Sequence, residues 1–327
     1  MDYRAAGVDL DAADAHVDRI APLVTSTWGE GVVGGFGGFA AGVRIPPGYT
    51  SPVLMMCTDG VGTKLELARR SGRWGGVGQD LVAMSVDDLV VAGARPLAFV
   101  DYMAVGSLRA ERDETIVASV ATACAKAGCA LVGGETAEHP GVMDPEAVDL
   151  AGAAVGVVED GEELGPHRVQ PGDVVIGLAS PNLRSNGFSL VRRVFEGVDL
   201  EDPFPEDGRP IAEVLLEASV IYAPAVLAAV ATGAVRAAAH VTGGGLAANL
   251  ARSVPDGLRA VVDHWSWDWP HVFTEVQRRG GIGVDEMRRT FNLGIGFCLV
   301  VDPAGTDAVS EAVTEHGPLP IGEIQKA

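Results

Sequence analysis

"DLVAMSVDDLVVAGARPLAFVDYMAVG", residues 80–106, contains the change of period on which the fold turns. Leu81, Met84, Asp88 and Leu89 recur at helical spacing, which predicts a helix over 80–91. Beyond the Gly93 break, "PLAFVDYMAVG" is too apolar and too short for a second helix and reads as a strand. Working outward, "RAERDETIVASVATACAKAG" (109–128) has acids early and a lysine late, as a helix dipole favours. "CALVGG" (129–134) and "AVDLAGAAVGVVE" (147–159) read as strands, as does "SPVLMMCT" (51–58) upstream, and residues 12–28 read as a helix. Strands and helices therefore alternate through residue 159. The Gly-, Pro- and charge-rich "DGEELGPHRVQPGD" (160–173) then marks an interdomain connection. The second half restarts with the strand "VVIGLAS" (174–180), helices near 186–196, 211–232 and 244–253, a strand at 294–301 and a helix at 305–316. A chain of 327 residues holds two such units, divided here into 1–165 and 166–327.

Forty-four acidic against 24 basic side chains give a formal charge of −20, which repels phosphodiester backbones and argues against nucleic-acid binding. No apolar run reaches the ~18 residues of a membrane span. The N-terminus lacks the basic and apolar regions of a signal peptide, so a cytoplasmic, membrane-free protein is expected. Cys57, Cys124, Cys129 and Cys298 form no CxxC pair and are expected as buried thiols.

"TDGVGTK" (58–64) follows a strand and combines Asp59 and Lys64 with two glycines. It is not a P-loop, because Val61 alone separates Gly60 from Gly62. On the helix that follows, Asp80 and Asp87 are seven residues apart and share a face, with Asp88 beside them. Carboxylates among Leu, Val and Met are costly to bury unless a positive group joins them. Either an exposed or capping face or a magnesium site satisfies that requirement. "GGETAEHPG" (133–141) adds Glu135, Glu138 and His139 in what reads as a glycine-rich turn. In the second half, "SNGF" (185–188) and "HVTGGG" (240–245) each place a glycine turn before a helix, where N–H groups can meet an anion. The first also reads as a simple Ser/Asn cap.

The order of "AGVDLDA", "GGFGGF", "TDGVGTK", "GQDLVAMSVDDLVVAGARPLAFVDYMA", "LVGGETAEHPGVM", "SNGFSLVRRV", "AHVTGGGLAANL" and "MRRTFNLGIGF" resembles the phosphoribosylformylglycinamidine cyclo-ligase family from about residue 3 to the C-terminus. The resemblance implies an α+β fold of two domains, an N-terminal one for ATP binding and dimerisation and a C-terminal one for substrate, with the N-terminal sheets pairing across a homodimer. It implies ATP-dependent closure of formylglycinamidine ribonucleotide to aminoimidazole ribonucleotide in purine biosynthesis, releasing ADP and phosphate. The formyl oxygen takes the γ-phosphate, and the ribose-bearing nitrogen then displaces phosphate from the formyl carbon. It further implies that Gly34, Gly35, Gly37 and Gly38 fold over the nucleotide. Asp59, Gly60, Gly62, Thr63, Lys64, Gly134, Glu135 and Thr136 contact it, and Asp59, Asp80, Asp87 and Glu135 hold Mg²⁺. Ser185, Asn186, Gly187, Thr242, Gly243, Gly244 and Gly245 hold substrate, while His240, Lys64 and Asp87 are the catalytic candidates.

The chain departs from the family at four places, one of them "VTSTWGEG" (24–31), which lacks the basic residues often found there. The family commonly has Asn at Asp87, His at Arg184 and a basic residue at Val220. Arg184 is accordingly expected to supply a ribose-phosphate contact. These departures leave room for another ATP-dependent superfamily enzyme of the small-molecule kinase type, or for a nucleotide-binding paralogue without turnover.

Overall fold

The computed structural model describes residues 9–262 and 265–327, so the start of "AGVDLDA" lies outside the described residues. The first half runs α1 (Leu10–Thr25), β1 (Val32–Val33), β2 (Gly42–Val43), β3 (Pro52–Gly60), α2 (Lys64–Ser71), α3 (Val77–Val91), β4 (Arg95–Val105), α4 (Ala110–Ala127), β5 (Ala130–Glu138) and β6 (Val148–Glu159). The second runs β7 (Val174–Ala179), α5 (Phe188–Val194), α6 (Ile211–Leu215), α7 (Ala223–Val230), β8 (Val235–His240), α8 (Gly245–Ala251), β9 (Leu258–Val262), α9 (His271–Gly280), α10 (Val284–Thr290), β10 (Ile295–Val301), α11 (Thr306–Ala312) and β11 (Leu319–Lys326).

The N-terminal sheet has the order β3-β6-β4-β5. Only β4 and β5 are parallel, joined by the α4 crossover, and the other pairs are antiparallel. The C-terminal sheet, β8-β10-β7-β11-β9, is antiparallel throughout. β10 sits inside it and is buried along its whole length, as its continuous apolar run requires.

α3 is buried on nearly every side, with only Asp88 exposed among its residues 80–90. Its contact with α4 is so close that a Cβ on Gly78 would lie 2.4 Å from the Val120 nitrogen. Glycine is thus required there by packing. The opposite face of the N-terminal sheet is bare: Leu54, Met56, Val100 and Tyr102 are all more than 40% exposed. β3 alternates exposed and half-buried residues from Pro52 to Asp59 because only one of its faces is covered.

Two expectations need correction. Residues 211–232 do not form one helix, since α6 ends at Leu215 and α7 begins at Ala223. The intervening segment gives its backbone to groups of α2, α3 and the Arg184 turn, which captures it more strongly than helix propensity does. "GGETAE" is not a turn either. It continues β5 in parallel register with β4 as far as Glu138, because its small residues let the strand run on beside Asp101 and Tyr102.

Candidate functional site

The acids of α3 divide between two tasks. Asp80 and Asp87 share a face, as their spacing requires, and both are fully buried. Asp80 Oδ2 lies 2.6 Å from Lys64 Nζ, and Asp80 Oδ1 accepts from Ser219 N at 2.9 Å and Ser219 Oγ at 2.6 Å. Asp87 Oδ2 accepts from Arg184 Nη2 at 2.8 Å, and its Oδ1 accepts from Tyr222 N at 2.9 Å. These two carboxylates pin residues 217–222 and the Arg184 turn against α3.

That arrangement bears on three sequence expectations. Lys64 does not face a phosphate: its ammonium donates to the carbonyls of Arg184 (2.9 Å) and Glu217 (3.0 Å) besides pairing with Asp80, which engages all three protons. Burial pulls its pKa below the ordinary lysine value, and Asp80 opposes that shift. Arg184 is not a solvated side chain, since it is fully buried and its guanidinium lies 4.9 Å from the Tyr222 ring centroid. The four-carboxylate magnesium cluster is not assembled, because Asp80 and Asp87 are neutralised by these cations. Among the described residues no group of three or more His, Cys, Asp or Glu converges on one point.

Asp88, next along α3, points the other way. Its side chain is 43% exposed, and its Oδ1 lies 2.8 Å from His240 Nδ1 at the end of β8. His240 Nε2 is 2.9 Å from Arg184 Nη2. Both ring nitrogens of His240 are therefore hydrogen-bonded within the chain. Asp59, at the end of β3, is half-buried. Burial raises its pKa, the Gly60 N–H bonded to Oδ1 at 2.7 Å opposes this, and the Asp88 charge raises it further. Asp59 and Asp88 are thus near enough for the Asp88 charge to act on the Asp59 carboxyl. Sequence reading passed over Asp88 because it stood beside two acids that matched a periodic pattern; its signal was being the one acid off that shared face.

The turns assigned to substrate are tied to "TDGVGTK", to α3 and to each other. Ser185 Oγ donates to the Val61 carbonyl at 3.1 Å, which ties this turn to "TDGVGTK". Asn186 Nδ2 contacts Met84 Sδ on α3, and Asn186 Oδ1 lies 3.8 Å from where a Gly243 Cβ would sit. Asn249 Nδ2 holds the glycine turn through the carbonyls of Thr242, Gly243 and Gly245. Two glycines combine left-handed backbone, φ +77 at Gly187 and φ +72 at Gly245, with a steric reason. A Cβ on Gly187 would meet the Phe291 ring at 2.3 Å, and one on Gly245 would meet the Arg288 carbonyl at 1.9 Å. Thr63 Oγ1 reaches Ser189 Oγ at 3.3 Å, and Gly62 adopts φ +68 with open space around it.

A second recess, of about 400 Å³, lies under the glycine loop. Gly35, Gly37 and Gly38 form its lid, Gly134, Glu135 and Thr136 of β5 one wall, and α1 another. His16 Nε2 meets Thr136 Oγ1 at 3.3 Å. Asp101 stands in the lining, where burial pushes its carboxyl up to about 7. A Cβ on Gly134 would fall 2.1 Å from Asp101 Oδ1, so glycine there makes room for that carboxyl. Mostly apolar walls with a few convergent polar groups are typical of small-molecule sites.

Residues 38–158 match the family model of the AIR synthase related protein N-terminal domain, and residues 170–327 match that of its C-terminal domain. The phosphoribosylformylglycinamidine cyclo-ligase of Bordetella petrii is 47% identical over 328 residues, covering 99% of this chain and 94% of that protein. The Paraburkholderia xenovorans protein of the same name is 48% identical over 319 residues, covering 97% and 89%. Among solved structures, thiamine-monophosphate kinase from Stenotrophomonas maltophilia K279a superposes with a TM-score of 0.66 at 21% identity, covering 95% of this chain and 93% of that one. The hydrogenase maturation protein HypE in complex with ATP superposes with 0.59 at 17% identity, covering 95% and 84%. These two structures share the fold.

Proposed function

The chain belongs to the AIR synthase related protein family, and on that premise we infer that it is an ATP-dependent cyclo-ligase closing formylglycinamidine ribonucleotide to aminoimidazole ribonucleotide in purine biosynthesis. The observation that carries this reading is identity of 47% across 99% of the chain to a protein named for that activity. The geometry adds a nucleotide-sized recess and a cleft where loops of both halves meet.

In this reading ATP lies under the glycine loop, against Gly134, Glu135 and Thr136. Its phosphates extend toward Asp59, Gly60, Gly62 and Thr63, where small residues allow close backbone approach. The ribonucleotide lies against Ser185, Asn186 and the Thr242–Gly244 turn, whose open glycine positions leave N–H groups for a phosphate. Asp59 and Asp88 suit a magnesium ion, which takes one or two carboxylates and completes its shell with water and phosphate oxygens. Such an ion would supply charge neutralisation at the transferred phosphate. The protein's own part is positioning, since the formyl oxygen and the γ-phosphate must meet in line. Lys64 and Arg184 contribute by holding the two halves of the cleft in register, not by touching ligand.

The bare sheet face fits a symmetric homodimer. Thr58, Ala153, Val100 and Gly133 form one flat row across it, and Met56 and Tyr102 stand to either side. Exposed apolar area of this kind marks an interface, and twofold pairing is the commonest way to cover it. The decisive experiment is incubation with formylglycinamidine ribonucleotide and MgATP. Stoichiometric aminoimidazole ribonucleotide and ADP are expected, and ADP formation with a different acceptor, or no turnover at all, would reject the assignment.

A further inference from the structure

His240 carries its proton on a defined nitrogen, and Arg184 decides which one. A guanidinium only donates hydrogen bonds, so the nitrogen 2.9 Å from Arg184 Nη2 presents a lone pair. That nitrogen is His240 Nε2. The ring proton then sits on Nδ1, where the Asp88 Oδ1 acceptor lies 2.8 Å away. We propose that Arg184 is a positioning residue that holds His240 in the Nδ1–H tautomer and, through that ring, aims the Asp88 carboxylate into the cleft.

The surroundings of Arg184 leave it little freedom to do otherwise. Nη1 donates to the Val220 carbonyl at 2.9 Å, Nη2 also donates to Asp87, and the guanidinium lies over Tyr222. Its backbone is fixed as well, with N–H donating to Asn182 Oδ1 at 3.0 Å and its carbonyl accepting from Lys64. The residue adopts φ +57, a left-handed conformation that a long side chain takes only when its environment enforces it. An arginine serving only as the counter-ion of Asp87 has no need to reach the imidazole. Here one terminal nitrogen serves both groups, so the burial of the ion pair and the orientation of the histidine are coupled. His240 is itself held against Phe297, ring centroids 6.1 Å apart, so the imidazole cannot swing to another acceptor without leaving its packing.

The tautomer assignment stands without the proposed function. The statement that Asp88 faces the reacting ligands rests on that reading. The test is nitrogen-15 spectroscopy of the full-length, ligand-free protein labelled at histidine, with the His240 signals assigned by their absence in His240→Asn. A protonated Nδ1 and a bare Nε2 are expected in the unsubstituted protein, and a proton on Nε2 overturns the proposal. Arg184→Lys, which keeps a donor, should retain the pattern. Arg184→Met leaves Asp87 buried without its partner, so it is made together with Asp87→Asn to protect the fold. This double variant should show the mixed tautomers of a free imidazole, and an unchanged Nδ1–H pattern would show that Arg184 does not set it. In turnover, the double variant should lose roughly tenfold in kcat with the ribonucleotide KM unchanged, and Arg184→Lys should recover most of the loss. A rise in ribonucleotide KM would instead make Arg184 a substrate contact. Absence of cyclo-ligase activity in the unsubstituted protein would reject the function while leaving the spectroscopic result to stand.

Discussion

Replacing Lys64 by Met keeps the buried stem and removes only the ammonium, which isolates the worth of its charge. The ion pair is 2.6 Å long with both side chains fully buried. At an effective dielectric of ~20 its gross attraction is about 6 kcal/mol. Most of that offsets the desolvation of two ions, so the intact pair adds little net stability. Removing one partner is different. Asp80 would keep only the Ser219 N–H and O–H, and the carbonyls of Arg184 and Glu217 would lose their donor. A loss of about 3–5 kcal/mol is expected, the range for breaking a buried pair from one side. Urea denaturation followed by circular dichroism measures it, and Asp80→Leu added to Lys64→Met should recover part of the loss because no stranded charge remains. An ATP KM raised tenfold with stability within ~1 kcal/mol of the unsubstituted protein would refute the reasoning and return Lys64 to the nucleotide.

Asp101 should make stability depend on pH. Its folded pKa, raised by burial from 3.8 to about 7, means the native state holds a proton that the unfolded chain releases, so stability falls as pH rises from about 4 to 7. Asp101→Asn should flatten melting temperature across that window, and parallel curves for the two proteins would contradict the buried carboxyl. Gly78→Ala drives a methyl to 2.4 Å from Val120 N and 2.8 Å from the Ile116 carbonyl; a loss of about 2–3 kcal/mol is expected, and an unshifted urea midpoint would mean α3 and α4 are less closely packed. Met56→Arg places a charge on the bare sheet face and should give monomers in sedimentation where the unsubstituted protein gives dimers. Monomers from both would remove the dimer.

Much of the N-terminal architecture was legible from the helical spacing in α3 and the strand–helix–strand order of β4, α4 and β5, whereas the continuous apolar run of β3 reads as a buried strand although Leu54 and Met56 are exposed. The shared face of Asp80 and Asp87 could also be read. Their partners could not, since Ser219 lies 139 residues from Asp80 and Arg184 lies 97 from Asp87. Local spacing carries no information about which cation folds back onto a helix, so the same geometry fitted a magnesium site. β8 escaped notice because "VRAAAH" has the composition of a helix, and β11 because "LPIGEIQK" contains Pro and Gly. The break between α6 and α7 was hidden only in part. Pro224 in the first turn of α7 was a stop signal within the run, and residues 216–222 are held unwound by hydrogen bonds to side chains far away in the sequence.

The Arg184–Asp87 pair also restricts the routes by which this sequence can drift. Loss of the Arg184 guanidinium alone strands the Asp87 carboxylate with the Tyr222 N–H as its remaining donor. Loss of the Asp87 carboxylate alone leaves the buried guanidinium without a counter-charge. Each single step crosses a penalty of about 3–5 kcal/mol, a large share of the ~5–15 kcal/mol that keeps a typical protein folded. Val220 belongs to the same knot, because its carbonyl accepts from Arg184. A change at Arg184 or Asp87 therefore needs a compensating change at the other before the core is free of an unpaired charge.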